Sequence, residues 1–309
     1  MSAQVTDDLV RVDGLVKTFP LRNAWGRTTG SVRAVDDVDL TIRRGETLAL
    51  VGESGSGKST LGRSILQMEE PTSGTVTYEG VDLTSLPRAR RAPYHRSMQV
   101  IFQDPFSSLN PHRTALQNVM EPLTVLVPDA DPRAQAVEAL AAVGIDGDAV
   151  HRRPRAFSGG QRQRIVIARA IAVRPGFVVC DEPLSALDMS IQAQVTELLL
   201  RLQRELALTY LFISHDLSVV REIATRTAVM NRGRVVELGP TAEVFASPQH
   251  PYTRHLLDAA LSTDPAQARR RLAQISTRPT GSGLVEICAS RRRACAGFVE
   301  SAASSRCRV

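Results

Sequence analysis

Residues 47–60 read Thr47-Leu48-Ala49-Leu50-Val51-Gly52-Glu53-Ser54-Gly55-Ser56-Gly57-Lys58-Ser59-Thr60, and this stretch decides the fold. A short apolar run, of the kind that forms a buried strand, leads straight into Gly52. A segment with helical spacing, residues 60–68, follows. Between them Gly52, Gly57, Lys58 and Ser59 satisfy G-x-x-x-x-G-K-[ST] in its required strand-to-helix setting. Gly52, Gly55 and Gly57, interleaved with Ser54 and Ser56, let backbone N–H groups close around phosphate oxygens. The helix start that carries Ser59 and Thr60 adds partial positive charge. Lys58 is predicted to reach the β- and γ-phosphates of a nucleoside triphosphate. The Ser59 hydroxyl is predicted to ligate Mg²⁺.

Working outward, Phe177-Val178-Val179-Cys180 is a second apolar run, and it delivers Asp181 and Glu182 to its carboxyl end. That end of an open parallel sheet is where ligands sit. Asp181 is expected to hold Mg²⁺ directly or through water, and Glu182 to orient or deprotonate an attacking water. Further strands are expected at 9–16, 32–42, 74–78, 98–102, 210–213, 228–230 and 234–238. Residues 17–20 are read as a turn, 21–31 as a loop, and the last two strands as a hairpin around Gly233. Helices are expected at 160–173, 191–206 and 217–224. Residues 112–150, rich in Ala and Leu, read as a helical insertion. Strands alternating with helices predict an α/β fold with a parallel sheet covered on both faces.

Composition agrees. With 309 residues and 43% hydrophobic content the chain can bury a large core, which excludes a disordered protein. No run of about 18 apolar residues suggests a transmembrane helix, and residues 1–8 show no secretory pattern. The net charge is +6, but residues 248–309 hold ten arginines against four acids, leaving 28 of each sign in residues 1–247. A basic tail on a neutral body does not predict nucleic-acid binding. Cys180 lies within an apolar strand and is expected in the core. Cys288, Cys295 and Cys307 lie in the tail, where an absent fourth ligand and few apolar neighbours argue against a metal cluster.

Phe157-Ser158-Gly159-Gly160-Gln161-Arg162-Gln163 narrows the reading. A serine and two glycines open a helix there, leaving N–H groups and a hydroxyl for an anion. The segment resembles the Leu-Ser-Gly-Gly-Gln signature of ABC (ATP-binding cassette) proteins, with Phe157 in place of leucine. Gln103, in Gln99-Val100-Ile101-Phe102-Gln103-Asp104-Pro105, resembles the family's Q-loop glutamine. Ser185-Ala186-Leu187-Asp188 resembles its D-loop, and His215, after an apolar strand, its switch histidine. The resemblance runs over residues 9–247 almost continuously. It implies a RecA-like core, an N-terminal antiparallel β subdomain and a helical subdomain at about 112–170, together making an ABC domain over 1–247. It also implies that ATP is the nucleotide, with Phe19 stacking on adenine, and that Gln103 senses Mg²⁺ and water. His215 would contact the γ-phosphate. Ser158, Gly159, Gly160 and Gln161 would seal the ATP held by a second cassette.

Met98 to Pro111, reading MQVIFQDPFSSLNP, and Pro248-Gln249-His250-Pro251-Tyr252-Thr253 resemble the oligopeptide/dipeptide importer branch, which also contains nickel importers. That branch implies a C-terminal extension over 248–309, here divergent or disordered after about 275. It also implies a peripheral ATPase at the cytoplasmic face of the membrane. Its partners would be a second cassette, expected to be a different chain, two transmembrane permease subunits and an extracytoplasmic solute-binding protein, with no nucleic acid. The alternatives are a cassette for another solute such as nickel, an exporter cassette, or a soluble non-transport ABC ATPase.

Overall fold

The computed structural model describes residues 7–23 and 26–261. Expectations for Cys288, Cys295, Cys307 and the tail beyond 275 lie outside the described residues. The elements run β1 (Asp8–Arg22), β2 (Thr28–Arg43), β3 (Thr47–Val51), α1 (Lys58–Ile65), β4 (Ser73–Tyr78), β5 (Val81–Asp82), α2 (Arg88–Ser97), β6 (Met98–Ile101) and α3 (Pro105–Ser108). They continue with α4 (Ala115–Leu126), α5 (Pro132–Ala142), α6 (Gly159–Ile171), β7 (Phe177–Asp181), α7 (Met189–Leu206) and β8 (Thr209–Ile213). The last are α8 (Leu217–Ile223), β9 (Arg226–Asn231), β10 (Arg234–Pro240), α9 (Thr241–Ala246) and α10 (Pro251–Leu261).

Two sheets form. A six-stranded sheet has the order β10-β9-β3-β8-β7-β6, and a four-stranded sheet the order β2-β1-β4-β5. The first is parallel except where β10 pairs antiparallel with β9; the second is antiparallel throughout. Strands β3, β7 and β8 are buried at every residue. Their side chains alternate between two cores, as a period of two requires. Leu48, Leu50, Phe177, Val179, Leu211 and Ile213 join the antiparallel sheet and α1. Ala49, Val51, Val178, Cys180, Tyr210 and Phe212 join the helices of the opposite face. Each fully buried Leu, Val or Phe contributes roughly 1.5–3 kcal/mol. The helical insertion is realised as α4 and α5 packed on α6, with Leu116, Val119, Leu123, Leu140 and Ile165 sharing one core.

Three expectations change. The turn expected at 17–20 and most of the loop expected at 21–31 are strand, because β1 and β2 continue pairing as far as Arg22 opposite Thr28. Pro20 is tolerated there because β1 pairs with β4 only as far as Val16, so the proline N lies where no second strand needs a donor. Helix α2 was not expected: its sequence RARRAPYHRS contains Pro93 and buries nothing, so it has no apolar stripe to read. Helix α10 was not expected either, although Tyr252 and Leu257 on it belong to the larger core.

Candidate functional site

The phosphate loop is shaped by packing. Gly52 has φ +150° and Gly57 φ +106°, both outside the range comfortable for other residues. A Cβ on Gly52 would lie 2.1 Å from the Met230 carbonyl oxygen, and one on Gly57 2.0 Å from that of Ala34. Loop and neighbouring strands therefore touch backbone to backbone, which only glycine permits. Gly57 caps α1 without a side-chain bond, so the helix's first N–H groups stay available. Ser54 and Gly55 are exposed at the crest and Thr60 is half-buried. Ser56 is turned inward, with its carbonyl accepting from the Gly233 N–H at 2.8 Å.

Lys58 is buried, and its Nζ donates to the Gly52 and Glu53 carbonyls at 2.8 Å each. Burial pulls its pKa down, while the nearby carboxylates of Glu182, Asp181 and Glu53 oppose that shift. The Ser59 hydroxyl donates to Asp181 Oδ1 at 2.6 Å, and Arg63, one turn further along α1, lies 3.6 Å from Asp181 Oδ2. These residues share with Gln103 and Arg169 a cleft of about 470 Å³. Gln103 is exposed. Its loop is fixed by Asp104, which accepts from the Phe106 and Ser107 N–H groups and so starts α3. The Arg169 guanidinium donates to the Ser108 carbonyl at the end of that turn.

Glu182 follows β7 with φ +50°, a conformation that costs a non-glycine residue of order 1 kcal/mol or more. Its N–H donates to the Ile213 carbonyl at 3.0 Å, and its carbonyl accepts from the Ser185 hydroxyl at 3.1 Å. The side chain lies beside His215, with Nδ1 3.3 Å from Glu182 Oε1. A carboxylate partnered by an imidazole at the end of a buried strand can hold a water and accept its proton.

The signature residues lie elsewhere. Ser158 caps α6: its hydroxyl accepts from the Gln161 N–H at 3.3 Å, and the Gln161 side chain accepts from the Ser158 N–H at 3.0 Å. The hydroxyl expected to be free thus accepts a bond within its own helix, keeping only its proton to give. Ser158, Gly159 and Gln161 are exposed, while Gly160 is buried with no room for a Cβ beside Ile191. Among the described residues no hydrogen bond joins this tip to the phosphate loop. Phe19 is 36% exposed on β1, opposite Val32, with Lys17 Nζ 4.9 Å from its ring centre. It stands two residues along the ladder from Ala34, the residue against Gly57.

The reading from sequence missed Arg63, Arg169 and Tyr252. Arg63 was findable, since Ser59 and Arg63 are four apart on one helix face. Tyr252 was noticed only as part of a C-terminal segment, but its hydroxyl accepts from the Glu53 N–H at 3.1 Å.

The family profile described as ABC transporter matches residues 35–185, and that described as Oligopeptide/dipeptide transporter, C-terminal region, matches residues 236–295. The probable peptide ABC transporter ATP-binding protein y4tS of Sinorhizobium fredii is 47% identical over 86% of this chain and 76% of its own length. The chain belongs to the ATP-binding subunits of ABC transporters. The glutathione import ATP-binding protein GsiA of Escherichia coli is 45% identical over 87% of this chain, which spans only 44% of that relative. Among solved structures, the ATP-binding cassette MJ0796, a dimer bound to ADP and Pi, superposes with a TM-score of 0.67 and 30% identity over 75% of this chain and 98% of its own. This ABC cassette is accordingly an ATPase with the fold expected, and among its described residues no helix is long and apolar enough to cross a membrane.

Proposed function

We propose that this cassette hydrolyses ATP to power peptide import through a membrane transporter, working from the cytoplasmic face. The observation that carries the substrate class is the peptide-transporter C-terminal region on a chain whose phosphate loop and acidic strand are complete. Lys58 and the N-terminus of α1, with residues 52–60, hold the triphosphate. Phe19 stacks on the base. Ser59, Asp181 and Gln103 line one cleft and each carries a side-chain oxygen, the donor type that suits Mg²⁺. When bound, the ion neutralises charge developing on the phosphoryl oxygens. Glu182 takes the proton of the attacking water, and His215 steadies both that carboxylate and the γ-phosphate.

The helix tip of Ser158 to Gln161 seals the nucleotide of a second cassette, and the exposed Ser185 and Asp188 cross to that cassette as the D-loop. That partner is a different chain in this proposal, and each of the two offers its exposed tip to the other. ATP favours the closed pair because it contacts both members, and hydrolysis removes that preference. Two permease subunits convert closure into alternating access, and a solute-binding protein delivers the peptide. The ABC domain occupies residues 1–247, with the extension beginning at 248. The test is reconstitution of the chain with its permeases, partner cassette and binding protein in vesicles. Peptides, glutathione among them, should stimulate ATP hydrolysis and accumulate. Stimulation by nickel alone, or movement of solute outward, would overturn the substrate assignment.

A further inference from the structure

The C-terminal segment does more than follow the cassette. The Glu237 carboxylate on β10 accepts from the Gln249 N–H at 2.8 Å and the His250 N–H at 2.9 Å. Pro251 then starts α10, and His250 Nδ1 accepts from the Tyr252 N–H at 3.1 Å. These bonds fix the backbone from which Tyr252 projects. Its side chain is only 6% exposed, and its hydroxyl accepts from the N–H of Glu53, the second residue of the phosphate loop. Burial holds the phenol's pKa above its ordinary value, so the hydroxyl stays neutral. The carbonyl of the same Glu53 accepts from Lys58 Nζ at 2.8 Å and from the Ser56 N–H at 3.1 Å. Both sides of this residue are therefore held, one from within the loop and the other from a residue 199 positions away.

We infer that Tyr252 is a positioning residue for the nucleotide site: its hydroxyl presets the phosphate loop in the shape that receives ATP. A loop held before binding need not be ordered at binding, and an unheld loop binds more weakly by the fraction of time it is misshapen. Once the triphosphate is seated, its own contacts hold the loop. Loss of the hydroxyl should therefore raise KM without lowering kcat. The inference rests on residues 52–60 being the ATP cradle.

The experiment is Tyr252→Phe in the full chain, which keeps the ring and its packing. ATP binding should weaken about three- to tenfold, the reach of one neutral hydrogen bond. Turnover at saturating ATP should stay unchanged, and hydrogen exchange at the Glu53 amide should quicken in the nucleotide-free protein. A role in folding alone would lower the melting temperature with and without ATP and leave affinity where it was, and that result overturns the inference. Unchanged affinity and exchange overturn it too. Failure of the unmodified chain to bind ATP would instead remove the cradle on which the inference stands.

Discussion

The phosphate loop and the signature tip both set glycines and serines at the start of a helix, yet one is packed into the body of the chain and the other stands out from it. Gly52 and Gly57 meet the backbones of Met230 and Ala34, and Lys58 is buried among carbonyls and carboxylates. Ser158 and Gln161 satisfy each other, and their outward faces remain exposed. The first arrangement is complete within one chain. The second is capped by its own side chains, and among the described residues no hydrogen bond ties it to the phosphate loop. In the function proposed, grip and seal are divided between molecules, so substitutions in the two regions should fail differently.

The largest effect is expected at the acidic end of β7. Glu182→Gln keeps the shape of the side chain and its place beside His215 but cannot accept a proton. Phosphate release should fall by about 10²- to 10⁴-fold, the usual worth of a general base, while ATP affinity changes little. A variant that hydrolyses ATP normally would remove Glu182 from the reaction. Next, Lys58→Ala removes a buried cation from the grip. A charge-assisted bond is worth about 1.5–3 kcal/mol, so ATP binding should weaken about 10- to 100-fold in one isolated chain, measured by titration with nucleotide. Retained affinity would show that the loop's N–H groups suffice.

Ser158→Ala separates the regions most sharply. The cap bond it loses costs about 0.5–2 kcal/mol of stability, but ATP binding by the isolated chain should be untouched. With the partner cassette present, and Glu182→Gln in place to prevent turnover, the ATP-held pair should become about three- to tenfold less populated, as the loss of one hydrogen bond predicts. Sedimentation measures it. An isolated chain that lost ATP affinity as Lys58→Ala does would mean the tip serves its own nucleotide, and the division proposed between grip and seal would be wrong.

What was legible in the sequence follows the same division. Buried strands and the loop they feed announce themselves, because burial on both faces writes continuous apolar runs at β3, β7 and β8 and close backbone contact demands glycine. The signature tip was legible as a helix start, since its capping box is local chemistry. Contacts between distant segments leave no such mark. Helix α2 has no apolar face, the extension of β1 through Pro20 depends on where β4 stops, and the Tyr252 hydroxyl meets a Glu53 that lies 199 positions away in the chain. Arg169 reads as an ordinary helix residue until α3 is laid against α6.

A similarly modest effect is expected at Phe19, the residue proposed to stack on the base. The ring is 36% exposed and has Lys17 on one face, so it is neither a core residue nor a free platform. Its ladder position opposite Val32 brings it near the loop because Ala34 of the same strand touches Gly57. Aromatic stacking of a base is worth about 1–3 kcal/mol where it is the main contact. At a half-exposed site already shared with a cation the lower end applies. Phe19→Ala should raise KM for ATP about fivefold and leave kcat and the ATP-held pair intact, while Phe19→Tyr should restore binding. Because triphosphate contacts are common to all nucleotides, the loss should be smaller for a triphosphate with a smaller base. Equal losses for purine and pyrimidine triphosphates would place the effect on the hairpin's packing and take Phe19 out of the nucleotide site.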